Sequence, residues 1–227
     1  MRVPDIVIAV DGYASTGKSS FAKLLAKEFG FIYLDSGAVY RAVTLFAREE
    51  SLIRADNSIS GLLKDELRGL DIHFGPGGTY IGERLVERQI RSMEVSSQVS
   101  PVSALPYVRE YVDSQLHKMA EGGRVVMDGR DIGTTVFPDA GLKIFMTASV
   151  DVRVRRRFDE LVGKGERPDM EEVRKNLLER DFIDSHREAS PLTRAEDSFL
   201  LDNSEITIKE ELVWAKGVMQ GKFGILE

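Results

Sequence analysis

Gly12-Tyr13-Ala14-Ser15-Thr16-Gly17-Lys18-Ser19 decides the fold. Before it, Asp5 to Val10 is a short apolar run rich in β-branched residues, which reads as a buried parallel strand. After it, Phe21, Leu24, Leu25 and Phe29 recur at helical spacing, so Ser19 to Phe29 reads as a helix. Strand, glycine-rich turn and helix in this order make a phosphate-binding loop. The glycines permit backbone angles that turn successive N–H groups toward an anion, and the helix start adds its own unsatisfied N–H groups. Lys18 is placed to reach the β- and γ-phosphates of a nucleotide, and the Ser19 hydroxyl to bind Mg²⁺. Ser20 extends the loop, so residues 12–20 form the expected ATP cradle.

Working outward, Ile32 to Leu34 reads as a second strand closed by Asp35-Ser36-Gly37, with a helix from about Ala38 to Glu49. Arg124 to Asp128, Leu142 to Met146 and Phe199 to Asp202 are further strands, with helical stretches between them. Alternation of this kind predicts an α/β fold, a three-layer phosphate-loop core with a parallel sheet covered on both faces. Ligands in such sheets bind beyond the carboxyl ends of the strands, where Asp35, Asp128 and Asp202 fall. Two segments break the rhythm. Asp71 to Ile81 surrounds Gly75-Pro76-Gly77-Gly78 and reads as a hairpin inside an insert at 62–100. Residues 152–181 are charged helix interrupted at Gly163 to Pro168, which resembles a mobile lid. The remaining pieces, 1–61, 101–151 and 182–227, form the expected core.

The 227 residues suit one such domain with insertions. A net charge of −6 argues against a general nucleic-acid binder. Local runs of arginine at 153–157, with Arg180, Arg187 and Arg194 at seven-residue intervals, suit a small polyanion instead. There are no cysteines, which excludes disulfides and thiolate chemistry, and His73, His117 and His186 lack metal-ligand spacing. No stretch approaches membrane-spanning length and Met1 to Asp5 does not begin a signal peptide, so a cytoplasmic protein without a membrane partner is expected. The Asn-Lys-x-Asp and Asp-x-x-Gly signatures of a GTPase do not occur. A small-molecule kinase needs an acid near Mg²⁺, a second phosphate site and mobile positive charge. Asp128 at a strand end, Arg130 and Arg41, and the arginines of 152–181 are candidates for these parts.

Residues 12–20, Asp35 to Arg41, Asp128-Gly129-Arg130-Asp131-Ile132-Gly133-Thr134, Val136 to Ala140, and Arg180-Asp181-x-x-Asp184-Ser185-x-Arg187 with Pro191-Leu192 together resemble bacterial cytidylate kinase. The resemblance spans nearly the whole chain in order. It implies transfer from ATP, with Mg²⁺, to CMP or dCMP, by a protein expected to be monomeric. It implies that Arg41, Arg130 and Arg187 hold the acceptor phosphate, with Gly129 beside them. It assigns Arg180 and Asp184 to the sugar, and Ser100, Arg109 and Asp131 to cytosine, with Ser36 and Tyr40 shaping that pocket. Arg153, Arg156 and Arg157 would meet the ATP phosphates, and Lys18, Asp128, Arg130, Arg156, Arg157 and Arg187 would carry catalysis, with Ser19 and Asp128 as the metal ligands. Cytosine offers an N4 donor that a carboxylate accepts, whereas uracil presents a lone pair there. The alternatives are a kinase of another acceptor such as UMP, or a nucleotide-binding regulator without turnover. Tyr13, Ser20, Ser36 and Pro101 depart from the usual residues of the family, and none removes a charged group.

Overall fold

The structure, a computed structural model, describes residues 3–224 in two compact units, residues up to 34 with 122 onward, and residues 35–121. The first unit is built on a five-stranded sheet. Its strands are β1 (Val7–Gly12), β2 (Ile32–Asp35), β6 (Val125–Gly129), β7 (Leu142–Thr147) and β8 (Phe199–Asp202), in the order β2-β6-β1-β7-β8. β1 lies parallel to β6 on one side and β7 on the other, and β8 is parallel to β7. The near-continuous apolar runs read from the sequence follow from this arrangement, because Ile8, Val10, Val126, Ile144 and Met146 are fully or almost fully buried.

Helix α1 (Lys18–Phe29) and helix α8 (Ile208–Phe223) pack together and close one face of this sheet. Phe21, Leu25, Ala26 and Phe29 from α1 and Ala215 and Met219 from α8 join the strand residues in one core cluster. Each helix has its expected boundary chemistry. Gly17 and Gly30 bracket α1 in left-handed conformations, and Thr207 with Glu210 forms a capping box at α8. Two helices, α6 (Val150–Gly163) and α7 (Met170–His186), hold one another through Val154, Leu161, Val173 and Leu177. Ser149 caps α6, and Asp169 caps α7 by accepting from Glu171 and Glu172 N–H groups.

The second unit contains α2 (Ser36–Glu49), a short α3 (Leu63–Glu66), α4 (Met93–Ser103) and α5 (Pro106–Met119). The hairpin read at 71–81 forms as β3 (Ile72–Gly75) and β4 (Gly78–Ile81). A third antiparallel strand, β5 (Arg84–Leu85), adds to β4 and was not expected from the sequence, since two residues carry no alternation signal. α2 packs against both α4 and α5, and Val39, Val43, Val95, Val99, Val108 and Val112 are buried. Pro101 lies within α4, where its ring is accommodated in the last turn. Among the described residues no helix is long and apolar enough to cross a membrane.

Candidate active site

The phosphate-binding loop leaves the carboxyl end of β1. Its backbone alternates unusual angles, with φ of 148° at Gly12, 58° at Ser15 and 89° at Gly17. The loop's carbonyls are tied to surrounding side chains. Lys18 Nζ donates to the Tyr13 carbonyl at 2.6 Å, and the Thr16 hydroxyl donates to it at 3.0 Å. Arg153 Nη1 donates to the Ala14 carbonyl at 3.3 Å. The Thr16 carbonyl accepts from Asn203 Nδ2 at 2.8 Å and from Arg156 Nη1 at 3.2 Å. In a trans peptide the C=O and the following N–H point in opposite directions. Anchoring the Ala14 and Thr16 carbonyls therefore fixes the Ser15 and Gly17 N–H groups on the other side, the arrangement an anion cradle needs.

Asp128 sits at the end of β6, opposite Val10. Its Oδ2 accepts from the Ser19 hydroxyl at 2.8 Å and its Oδ1 from the Tyr33 hydroxyl at 2.6 Å. A hydroxyl from the first turn of α1 and a carboxylate from the end of β6 are thus already together. Both are hard oxygen donors, the kind that Mg²⁺ takes, so the residues present fit the ion expected there.

Beyond Asp128 the chain supplies an arginine and an acid, Arg130 and Asp131, that meet Asp184 of α7 and Arg187 at its end. Arg130 Nε donates to Asp184 Oδ2 at 2.8 Å. Arg187 donates through Nη2 to Asp131 Oδ1 at 3.2 Å and through Nε to the Ser190 carbonyl at 2.8 Å. Burial alone would disfavour ionised Asp184, but Arg130, Arg180 and Arg187 outweigh it and hold the carboxyl below its ordinary range. Lys18 is pulled down to about 7, first by burial and next by the Arg130 cation, with Asp128 and Asp11 acting in the opposite sense. Lys18 of the glycine turn and Arg130 of the arginine cluster are therefore close enough to feel each other's charge. The loop, Ser19, Asp128, Asp131, Arg130, Arg180, Asp184 and Arg187 form one charged site in the first unit.

The arginines of α6 divide. Arg153 is buried and lies over the Tyr13 ring at 5.2 Å from its centroid. It pairs with Asp181, whose other oxygen accepts from the Ala14 N–H at 3.2 Å. Expected at the ATP phosphates, Arg153 is instead committed to joining α6, α7 and the glycine turn. Arg156 reaches that turn and Asn203. Arg157 pairs with Glu160 one turn along α6 at 2.8 Å. A cavity of 350 Å³ beside the loop is lined by Ser15, Ser20, Arg156, Asn203, Ile206 and Ile208, among others.

In the second unit, Ser36 opens α2, whose N-terminus is capped by Asp35 accepting from the Ala38 N–H at 3.0 Å. Arg41 donates to the Ser96 hydroxyl at 2.8 Å. Ser96 and Ser100 lie one turn apart on the same side of α4. Arg109 is buried, with its guanidinium 5.4 Å from the Tyr40 ring centroid and Nη1 donating to the Ser103 carbonyl at 3.3 Å.

Asp11, Tyr33, Ser96, Asp181, Asn203 and Glu211 touch this machinery and were not singled out from the sequence. Asp181 stands inside the Arg180 to Arg187 block, and Asp11 closes an apolar strand much as Asp35, Asp128 and Asp202 do, so both carried a signal. Asn203 and Glu211 carried none, because their partners are distant in the chain.

Comparison with known proteins decides the assignment. The sequence profile described as cytidylate kinase matches residues 8–216. The chain belongs to the cytidylate kinase family. It is 51% identical over 215 residues to the cytidylate kinase of Bacteroides fragilis, covering 92% of this chain and 94% of that one. The cytidylate kinase of Bacteroides thetaiotaomicron is 50% identical over the same length and shares. A solved structure of an uncharacterized protein from Eubacterium ventriosum superposes with a TM-score of 0.54, covering 96% of this chain and 99% of that one. At 11% identity that likeness speaks for the fold alone.

Proposed function

We propose that the charged site described above works as follows in this nucleoside monophosphate kinase. The chain transfers the γ-phosphoryl group of ATP to CMP or dCMP, giving CDP or dCDP. One oxygen of the acceptor phosphate forms the new bond to the γ-phosphorus as the bond to the ADP oxygen breaks. That acceptor oxygen is ionised at neutral pH, so no strong base is required. Positioning and charge stabilisation supply the catalysis.

Residues 12–20 hold the ATP phosphates, and the cavity beside Arg156 and Asn203 takes the purine. Lys18 gains its full charge once phosphates surround it and offsets charge on the transferring group. Ser19 and Asp128 would hold Mg²⁺, which would supply positive charge to offset that of the nucleotide phosphates. Arg41, Arg130 and Arg187 aim the acceptor phosphate, whose oxygens suit a planar guanidinium fork. Arg180 and Asp184 address the sugar. Asp131 and Gly129 are assigned to cytosine, and so, in the second unit, are Ser100, Arg109, Ser36 and Tyr40. Arg156 and Arg157 complete the charge around the transferring group. Residues 62–100 serve as the acceptor-binding insert and 152–181 as a lid that excludes water, in a monomeric, cytoplasmic enzyme.

The observation that carries this reading is the Ser19–Asp128 hydrogen bond beside the glycine turn, with Arg130, two residues further on, paired to Asp184. It supports a donor site and an acceptor site meeting at the ends of β1 and β6. The test is Lys18→Ala assayed with ATP, Mg²⁺ and CMP. Turnover falls by at least about 100-fold, while the far-ultraviolet circular dichroism and the melting temperature stay near those of the unchanged protein. Near-normal turnover in a folded variant would remove Lys18 from its role.

A further inference from the structure

We propose that Asp11 is a positioning residue for the acceptor base. It acts by fixing the segment that carries Asp131. This rests on the reading of Asp131 given above and goes beyond it.

Asp11 lies at the end of β1, immediately before the phosphate-binding loop, and its side chain is buried. Its Oδ1 accepts from the Ile132 N–H at 2.8 Å and its Oδ2 from the Gly133 N–H at 2.7 Å. These two donors open a π-helical turn, Ile132–Val136, directly after Asp131. The first N–H groups of any helical turn lack partners within it. Here a carboxylate more than a hundred residues away in sequence supplies them both. From the other side, the Asp131 carbonyl accepts from the Thr135 and Val136 N–H groups at 2.9 and 3.1 Å. The main chain of Asp131 is thus held between its own turn and the side chain of Asp11. Isolated π turns are rare and often mark functional positions.

The coupling is specific in direction. Asp11 touches the acceptor-side segment through hydrogen bonds, whereas the glycine turn is anchored by Lys18, Asn203, Arg153 and Arg156. Disturbing Asp11 should therefore displace the base-reading carboxylate and leave ATP binding alone. Asp11→Asn keeps the size but must aim an NH₂ group at one of two N–H donors. Gly133→Ala keeps the carboxylate and presses on it. An added Cβ would stand 3.3 Å from Asp11 Oδ2 and 3.2 Å from Lys143 Cγ and Cδ. The Lys143 side chain is itself tethered to Asp197 at 2.9 Å.

The experiment measures kcat and KM for CMP, UMP and ATP in the unchanged protein and in Asp131→Ala, Asp11→Asn and Gly133→Ala. Asp11→Asn is expected to raise the CMP KM about tenfold and lower the CMP-to-UMP ratio of kcat/KM about tenfold, with the ATP KM within about twofold. Gly133→Ala moves the same quantities in the same direction. A merely structural role would lower kcat for both acceptors equally and leave the ratio alone. The proposal is overturned if a folded variant keeps the ratio, or if the CMP and ATP KM values rise together. Should Asp11→Asn fail to fold, Gly133→Ala is judged by the same ratio. If Asp131→Ala itself leaves the ratio unchanged, the reading of Asp131 fails, which is distinct from a loss in Asp131→Ala without one in the Asp11 and Gly133 variants.

Discussion

A buried carboxylate at position 11 is costly to keep charged, and the cost has a pH signature. Burial raises Asp11 from 3.8 to about 6, Asp131 adds to the rise, and the Gly133 and Ile132 N–H groups and Lys18 oppose it. A carboxyl whose pKa is higher folded than unfolded contributes stability below its unfolded value, and that contribution is lost as pH rises through the folded value. A shift of roughly two units corresponds to about 3 kcal/mol. Urea unfolding of the unchanged protein and Asp11→Asn should therefore show the difference in stability moving against the unchanged protein by up to about 3 kcal/mol between pH ~4 and pH ~7. A flat difference across that window would contradict the assignment. Among the arginines the same scale separates roles that the sequence alone ran together. Arg153, Arg156 and Arg157 stand within five residues, yet one is buried against Asp181, one touches the glycine turn and one pairs with Glu160. The directions of Arg153 and Arg156 depend on partners that lie elsewhere in the chain, so composition could announce a basic helix without saying which guanidinium does what. Arg153→Lys tests the difference. It loses the planar fork that joins Asp181 to Ala14, and should lower the melting temperature by several degrees, equivalent to about 1–2 kcal/mol. An unchanged melting temperature would count against a structural role.

The unit β1, glycine turn and α1 was legible because each part has a local cause: β-branched residues for the strand, glycines for the turn, apolar spacing for the helix. The other strands of the large sheet were legible for the same reason, being short apolar runs that end in polar residues. What escaped the sequence was made by tertiary contact. The two-residue strand β5 exists only because β4 offers an edge, and the π turn at Ile132–Val136 is held open by a side chain from β1. Gly12 shows how tightly these elements meet. Its φ is 148°, and a Cβ built there would lie 2.0 Å from the Met146 carbonyl oxygen on β7. Gly12→Ala must separate the turn from β7, so it should cost about 3 kcal/mol or more in stability and weaken ATP binding together. Thermal unfolding and nucleotide titration check this, and a variant of unchanged stability would contradict the packing described.

At the scale of the whole molecule, a net charge of −6 surrounds a site rich in arginine. Acids such as Asp131, Asp181 and Asp184 neutralise those arginines and hold them in place. This is how an acidic chain can carry a locally basic site suited to small polyanions. The family and the α/β core were readable from ordered motifs. The buried links between β1, the glycine turn and the acceptor-side segment were not, since no local pattern encodes them. The account stands most directly on a panel of monophosphates (CMP, dCMP, UMP, AMP and GMP) incubated with ATP and Mg²⁺, with diphosphates separated by chromatography. It predicts CDP and dCDP as the dominant products, with UDP formed at a kcat/KM lower by at least about tenfold. Faster formation of UDP, or any diphosphate in preference to CDP and dCDP, would contradict it.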